Sequence, residues 1–278
     1  MIIINADDFG RSKAETDAAV ALVKWGEVTS ASGMVFMADS ERAAALATDM
    51  KIDVGLHLNF SERWDSGRVP RSLAIQQESL ITYFNRSQYA RVVYNPMLRE
   101  AFESVYQAQV DEFQRLYRHP PSHIDGHHHL HLCANMLVDT VIPRGLGVRR
   151  NFTFAPGEKG LLNRAYRRLI DACLHRRYVL TDYFFSLEQC LSGRGRSLRA
   201  VADLAKVANV EIMTHPRNAE EFDYLAGPQF QDVLGPVPKG TYAKLFPLRI
   251  AQLEQPVMLG TLLATLYEWT PLYEWAFL

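Results

Sequence analysis

MIIINADDFG, residues 1–10, is the stretch on which the architecture turns. Its apolar run Ile2–Asn5, rich in β-branched residues, reads as a buried strand. Ala6–Arg11 reads as a loop. Ser12 follows as a helix N-cap, with Glu15 at capping-box spacing. Lys13–Trp25 then carries Ala14, Ala18, Leu22 and Trp25 near helical spacing, and Gly26 ends the helix. Working outward, Thr29–Met37 reads as a strand and Ser40–Asp49 as a short helix capped by Ser40. Asp53–Phe60 reads as a third strand. The order β-α-β-α-β argues for a parallel sheet.

The remainder continues the alternation. Segment 61–95 is less regular, carries Gly67 and Pro70, and reads as an inserted loop or lid. Pro96–Arg118 is a predicted helix with apolar residues at Leu98, Phe102, Val105, Val110, Phe113 and Leu116. His119-Pro120-Pro121 stops it. His123–His131 reads as a strand with its following loop, and Ala134–Val141 as helix. Gly147–Arg149 reads as strand, Leu161–His175 as helix and Val179–Phe185 as strand. Ser197–Ala208 reads as helix and Val210–Thr214 as a short buried strand. Leu245–Leu253 and Met258–Leu266 look helical or mixed. Unbroken alternation favours a single (β/α) barrel over residues 1–278 rather than two domains.

Composition narrows the function classes. The chain has 278 residues, 48% hydrophobic and 22% charged, an ordinary balance for a soluble protein. A formal net charge of −1 argues against nucleic acid as the main partner. Cys133, Cys173 and Cys190 fit no zinc spacing and read as reduced thiols of a cytoplasmic protein. The N-terminus lacks a signal-peptide pattern, and no apolar stretch is long enough to span a bilayer. The apolar tail Thr261–Leu278, with Trp269, Trp275 and Phe277, reads as a docked terminal element. A homodimer contact or a peripheral rest on a membrane are its alternatives.

The chemistry concentrates at four places. Five of nine histidines lie in HIDGHHHLH, residues 123–131. In an extended chain His123, Asp125, His127, His129 and His131 would share one face. Burying that many polar rings needs a partner, and a bound metal supplies one. A hydrogen-bonded histidine cluster is the plainer alternative. Asp7 and Asp8 end the first strand as adjacent carboxylates, which calls for a cation or a hydrogen-bond network. Asp is also common in a loop that leads into a helix. His57 sits late in the third strand, and His215 ends a short apolar strand before Pro216. Alone, His57 would more often be a satisfied core histidine. All four places lie at C-terminal ends of predicted parallel strands, where α/β sheets build their sites.

With NADDFG at 5–10, GLHLNF at 55–60, HIDGHHHLH at 123–131 and MTHP at 213–216, the sequence resembles the YdjC-like carbohydrate deacetylases. That family includes chitooligosaccharide deacetylase and the hopanoid-associated HpnK proteins. The resemblance spans roughly positions 1 to 255 and implies a distorted (β/α) TIM-like barrel related to the polysaccharide deacetylases. It implies one divalent metal held by Asp8, His57 and His127. It also implies Asp7 as general base, His215 as general acid, and Arg149, or its neighbour Arg150, as the arginine orienting the catalytic carboxylate. Asn59 departs from a small hydroxyl residue common in relatives, and 62–95 and the final residues match nothing familiar. Mg²⁺ or Zn²⁺ is expected, with Co²⁺ or Mn²⁺ as alternatives, and two imidazoles favour a transition metal.

The implied activity is metal-dependent removal of an acetyl group from an N-acetylated amino sugar, on an oligosaccharide or a glycolipid. Trp64, Tyr83 and Phe84 would either stack on sugar rings or pack the insert. The alternatives are other metallohydrolases, such as a phosphoesterase or an amidohydrolase, a non-heme iron oxygenase, and a non-catalytic sugar-binding relative. Asp-Asp in place of His-x-His at the first strand speaks against the amidohydrolase. A phosphoesterase would usually want two metals.

Overall fold

Alternation along the strands decides what faces what. The computed structural model describes residues 1–154, 158–193, 195–234 and 237–249. Its strands are β1 (Ile2–Phe9), β2 (Ser30–Gly33), β3 (Asp53–Leu58), β4 (Ile124–Gly126), β5 (Tyr183–Ser186) and β6 (Val210–Thr214). The helices between the first four strands are α1 (Lys13–Lys24), α2 (Ser40–Met50), α3 (Arg71–Arg86) and α4 (Arg99–Tyr117). Then come α5 (Ala134–Val138), α6 (Leu161–His175), α7 (Leu187–Leu191) and α8 (Leu198–Ala205). The chain continues through α9 (Ala219–Ala226), α10 (Pro228–Leu234) and α11 (Tyr242–Arg249).

All strand pairs are parallel, in the order β4-β3-β2-β1-β6-β5. Bridges Ile124↔Val148 and Gly147↔Val179 insert residues 147–148 between β4 and the chain entering β5. The sheet thereby curls round on itself as a distorted (β/α) barrel, with fewer regular strands among the described residues than the usual eight.

Ile2, Ile4, Ala6, Ala31, Val54, Leu56, Ile124, Val210 and Ile212 belong to the large core between sheet and helices. The residues between them point into the barrel. At its floor Ile3 packs with Val179, Tyr242 and Leu245. Above that floor the inward positions include Asn5, Asp7, Ser32, His57, His123, Asp125 and Glu211, all buried, with Met213 and Phe184 as apolar members. A two-residue period therefore separates an apolar outer shell from a largely polar interior.

Helix boundaries follow local chemistry. Ser12 caps α1 by accepting from the Ala14 N–H, and its hydroxyl donates to the Glu15 carboxylate in place of the backbone bonds of a full capping box. Ser40 opens α2 rather than capping it, since its hydroxyl bonds the Met34 carbonyl and the Met37 N–H. The second strand is only Ser30–Gly33 and not the predicted Thr29–Met37. Segment 61–95 is more regular than predicted, because it contains the 16-residue α3, whose Leu80 and Ile81 are buried. Phe84 packs on Phe102 of α4, and Trp64 on Phe36. Helices α9 and α10 were not predicted. The mixed segments beyond 249 and the Thr261–Leu278 tail lie outside the described residues. All three cysteines are free thiols, Cys133 and Cys190 buried. Among the described residues no helix is long and apolar enough to cross a membrane.

Candidate metal centre

At the C-terminal end of β1 two adjacent carboxylates reach the same place by different routes. Asp7 points inward by alternation. Asp8 should point outward, but its backbone is left-handed (φ 61°), and the β1–β2 register shifts between Ala6 and Phe9. Asp tolerates that conformation better than most residues. His57 faces inward from β3. His127 follows Gly126, whose backbone is still extended at φ −168°, and so continues the inward face of β4.

Asp8, His57 and His127 offer one ligand atom each within 4.8 Å of one another, all buried. Asp8 Oδ1 lies 2.9 Å from His127 Nδ1 and 3.3 Å from His57 Nε2. Donors bound to one cation at 2.0–2.2 Å stand about 3.0 Å apart at right angles and about 3.4 Å apart tetrahedrally. The remaining ring nitrogens are committed elsewhere. His57 Nδ1 meets Asp125 Oδ1 at 2.9 Å, and His127 Nε2 meets Glu62 Oε1 at 3.1 Å. With those carboxylates placed to take the ring N–H groups, each ring turns its other nitrogen to Asp8, where a cation would be held. Burial disfavours charge on His57, yet Asp125, Asp8 and Asp7 outweigh it and raise the imidazole to about 10. Burial likewise opposes ionisation of Asp8, but the two histidines hold it far below the usual carboxylate range. The donor set therefore fits a divalent metal.

A second grouping, Asp7 with His57 and Asp125, also has ligand atoms close together. Its cation is already present. Arg149 places NH1 at 2.7 Å from Asp7 Oδ2 and 2.6 Å from Asp125 Oδ2, with NH2 at 2.7 Å from Asp7 Oδ1. This two-pronged grip, with an Asn5 bond at 2.8 Å, fixes the Asp7 carboxylate. Arg150 instead turns to the Asp182 carbonyl and to Asp171 at 2.6 Å, so of the two arginines it is Arg149 that meets Asp7. Arg149 and His57 hold Asp125 well below the usual carboxylate range against the effect of burial.

His215 follows β6, whose register sets Thr214 beside Ala6 of β1. Its ring is half-exposed. The His215 backbone N–H donates to Glu221 Oε2 at 2.9 Å, and its ring Nδ1 lies 3.8 Å from Glu221 Oε1. Partial burial opposes protonation, but Glu221 and Asp7 raise the pKa above the ordinary imidazole value.

The histidine-rich segment behaves differently from its extended reading. The strand stops at Gly126, and His128 and His129 are left-handed, with φ 54° and 57°. Only His127 joins the candidate ligands. His123 bonds Ser32 at 3.0 Å, and His131 bonds the Arg149 carbonyl at 3.0 Å. His129 packs against Phe152 and Phe184. Burial pushes His123 and His131 down to about 4 and holds His129 well below the ordinary imidazole value, so all three are neutral rings with structural partners.

Asn59 builds the rim of the site. Its side chain accepts from the Ser61 and Glu62 N–H groups at 3.2 and 2.9 Å and donates to the Glu62 carbonyl at 3.0 Å. Gln77 of α3 and Gln109 of α4 clamp the same turn, at 3.0 Å on the Asn59 carbonyl and 2.7 Å on its N–H. The turn thus offers Glu62 to His127 and to a two-pronged Arg11, at 2.7 and 3.0 Å. Sequence reasoning missed Glu62, Glu211 and the support that Asp125 gives His57. Glu211 had a legible signal, a charged residue between Val210 and Ile212 on a buried strand.

Fold and site together define a parallel (β/α) barrel protein with an Asp-His-His cluster at the C-terminal ends of its strands. The profile of the YdjC-like protein family matches residues 1–235, and the chain belongs to that family. A carbohydrate deacetylase of Mus musculus is 30% identical over 247 aligned positions, covering 77% of each chain. A chitooligosaccharide deacetylase of Serratia marcescens is 33% identical over 133 residues, 48% of this chain and 51% of its own. A crystal structure from Enterococcus faecalis V583, described as a cellobiose-phosphate cleavage protein, superposes with a TM-score of 0.59 at 20% identity. It covers 88% of this chain and 98% of that one.

Proposed function

We propose that this chain is a metal-dependent carbohydrate deacetylase that hydrolyses the N-acetyl group of an amino sugar. The observation that carries the reading is the convergence of Asp8, His57 and His127 beside an Asp7 gripped by Arg149. Relatives named carbohydrate deacetylase and chitooligosaccharide deacetylase support it.

In this reading Asp8, His57 and His127 hold one divalent ion, Zn²⁺ or Mg²⁺, with Co²⁺ or Mn²⁺ as substitutes. Such an ion, when bound, acidifies a water and polarises a carbonyl. Asp7 takes the proton of the water that attacks the acetyl carbon. Arg149 keeps that carboxylate aimed. The C–N bond then breaks, and His215, protonated under the influence of Glu221, gives its proton to the departing amine. An amine is a poor leaving group until protonated, so the raised pKa of His215 suits the role. Products are acetate and a free amino sugar, carried on an oligosaccharide or a glycolipid.

Acetate release from N-acetylated chitooligosaccharides, with and without chelator, tests the reading. Release should need added metal and should vanish in Asp8→Ala. Release that survives complete metal stripping overturns it, as does an inactive metal-loaded wild type.

A further inference from the structure

Glu211 is a buried carboxylate that the proposed chemistry leaves unused. It faces inward from β6 and is fully buried. One oxygen accepts the Arg149 Nε–H at 2.8 Å, and the other accepts the Tyr242 hydroxyl. Burial pushes the Glu211 carboxyl up to about 7 although Arg149 and Tyr242 oppose this. Burial raises the Tyr242 phenol as well, so the phenol remains a donor.

Tyr242 opens α11 at the barrel floor, and its ring is tightly specified. Its backbone N–H donates to Asp53 Oδ2 at 2.9 Å, at the N-terminal end of β3. Its ring stacks on His123 with centroids 3.8 Å apart and planes at 11°. Gly55 leaves room for that stack, since a Cβ there would stand 2.3 Å from the His123 ring. These restraints aim one hydroxyl at one carboxylate. The family match ends at residue 235, so Tyr242 lies beyond it.

Arg149 needs such a hold. A guanidinium makes two parallel bonds to a carboxylate only when its plane is fixed. NH1 and NH2 are spent on Asp7, and NH1 also on Asp125. Nε lies on the opposite edge of the guanidinium from Asp7, and Glu211 occupies it. We propose that Glu211 and Tyr242 are positioning residues for the Asp7–Arg149 pair, through which α11 at the barrel floor sets the geometry of the catalytic end. This rests on the reading of Asp7 as the base.

Tyr242→Phe keeps the ring and its stacking and deletes one O–H. In the full chain loaded with Zn²⁺, kcat on an N-acetylated chitooligosaccharide should fall roughly tenfold, because small misplacement of a reacting group is costly. KM should stay within about twofold, and Zn²⁺ affinity by calorimetry should not move, since the candidate ligands are untouched. Glu211→Gln keeps an acceptor for Arg149 and should retain more kcat than Glu211→Ala. The Arg149 Nε–H resonance, assigned by its loss in Arg149→Lys, should shift and exchange faster in Tyr242→Phe. That resonance reports positioning without turnover, so it decides the matter even if the wild type proves inactive on acetylated glycans. An unmoved resonance in Tyr242→Phe overturns the proposal. So does a fall in kcat matched by an equal loss of folded protein or of Zn²⁺ affinity.

Discussion

At Asp8 a left-handed backbone, φ 61°, turns a carboxylate from the outer face of β1 towards His57 and His127. Asn tolerates that conformation as Asp does, so Asp8→Asn should fold normally while losing the charge the cation needs. Zn²⁺ affinity should drop by more than about 100-fold, beyond what loss of an outer partner usually costs. Calorimetry checks this, and unchanged affinity would remove Asp8 from the ligand set. Asp7→Asn keeps shape too, and should lower kcat by roughly 10²–10⁴ with metal still bound. His215 gives a pH test with a definite sign. Its pKa is raised, so the protonated acid is present at low pH and lost as pH rises through that value. The rate should therefore fall on the alkaline side. Glu221→Gln removes a raising partner and should move that limb to lower pH by up to about one unit. A limb unmoved in Glu221→Gln and still present in His215→Ala would belong to another group.

Between elements, the 59–62 turn links α3 and α4 to the candidate centre. Gln109 is a fully buried amide on the apolar face of α4, and it accepts the Asn59 N–H at 2.7 Å. Gln109→Leu leaves that N–H unpartnered and should cost about 1–3 kcal/mol in urea unfolding. It should also weaken Zn²⁺ binding, because Glu62 loses its hold on His127. Phe102→Ala, on the same face, should cost more stability, about 3–5 kcal/mol, and leave Zn²⁺ affinity unchanged. Equal metal affinity in both variants would dissociate the turn from the site. The same elements explain what the sequence revealed. Strands β1, β3 and β6 were legible as short apolar runs, although β1 was read only as far as Asn5 and runs on to Phe9, because its polar inward residues resemble a loop in sequence. Asp7, Asp8, His57 and His215 were legible because strand ends are where such sheets build sites. HIDGHHHLH misled in part, since two consecutive left-handed histidines end the extended chain after one ligand. Side-chain patterning carries no signal for that backbone change. Glu62 was hidden for another reason: its place depends on Asn59, Gln77 and Gln109 meeting from three separate segments.

Over the whole molecule, the barrel interior carries more carboxylate than its resident cations balance. Asp7, Asp8, Asp125 and Glu211 are all buried, against a single buried guanidinium, Arg149, among them. In the metal-free protein His57 makes up part of the difference by staying protonated to about 10. A divalent ion at the candidate site would take over that role, so loading should expel a proton at neutral pH and tighten as pH rises. Calorimetry in buffers of different ionisation enthalpy should register about one proton released. Loading should also stabilise the fold, since an ion that binds only the native chain lowers its free energy by mass action. At 100 times Kd the gain is about 2.7 kcal/mol, which raises Tm by about 5–10 °C for a chain of this size. Chelation should reverse the gain, and Asp8→Asn should show almost none of it. If Tm were indifferent to both metal and chelator while the protein remained folded, the buried carboxylates would have to be balanced by protons alone. The Asp8, His57 and His127 cluster would then be a hydrogen-bonded core rather than a metal centre.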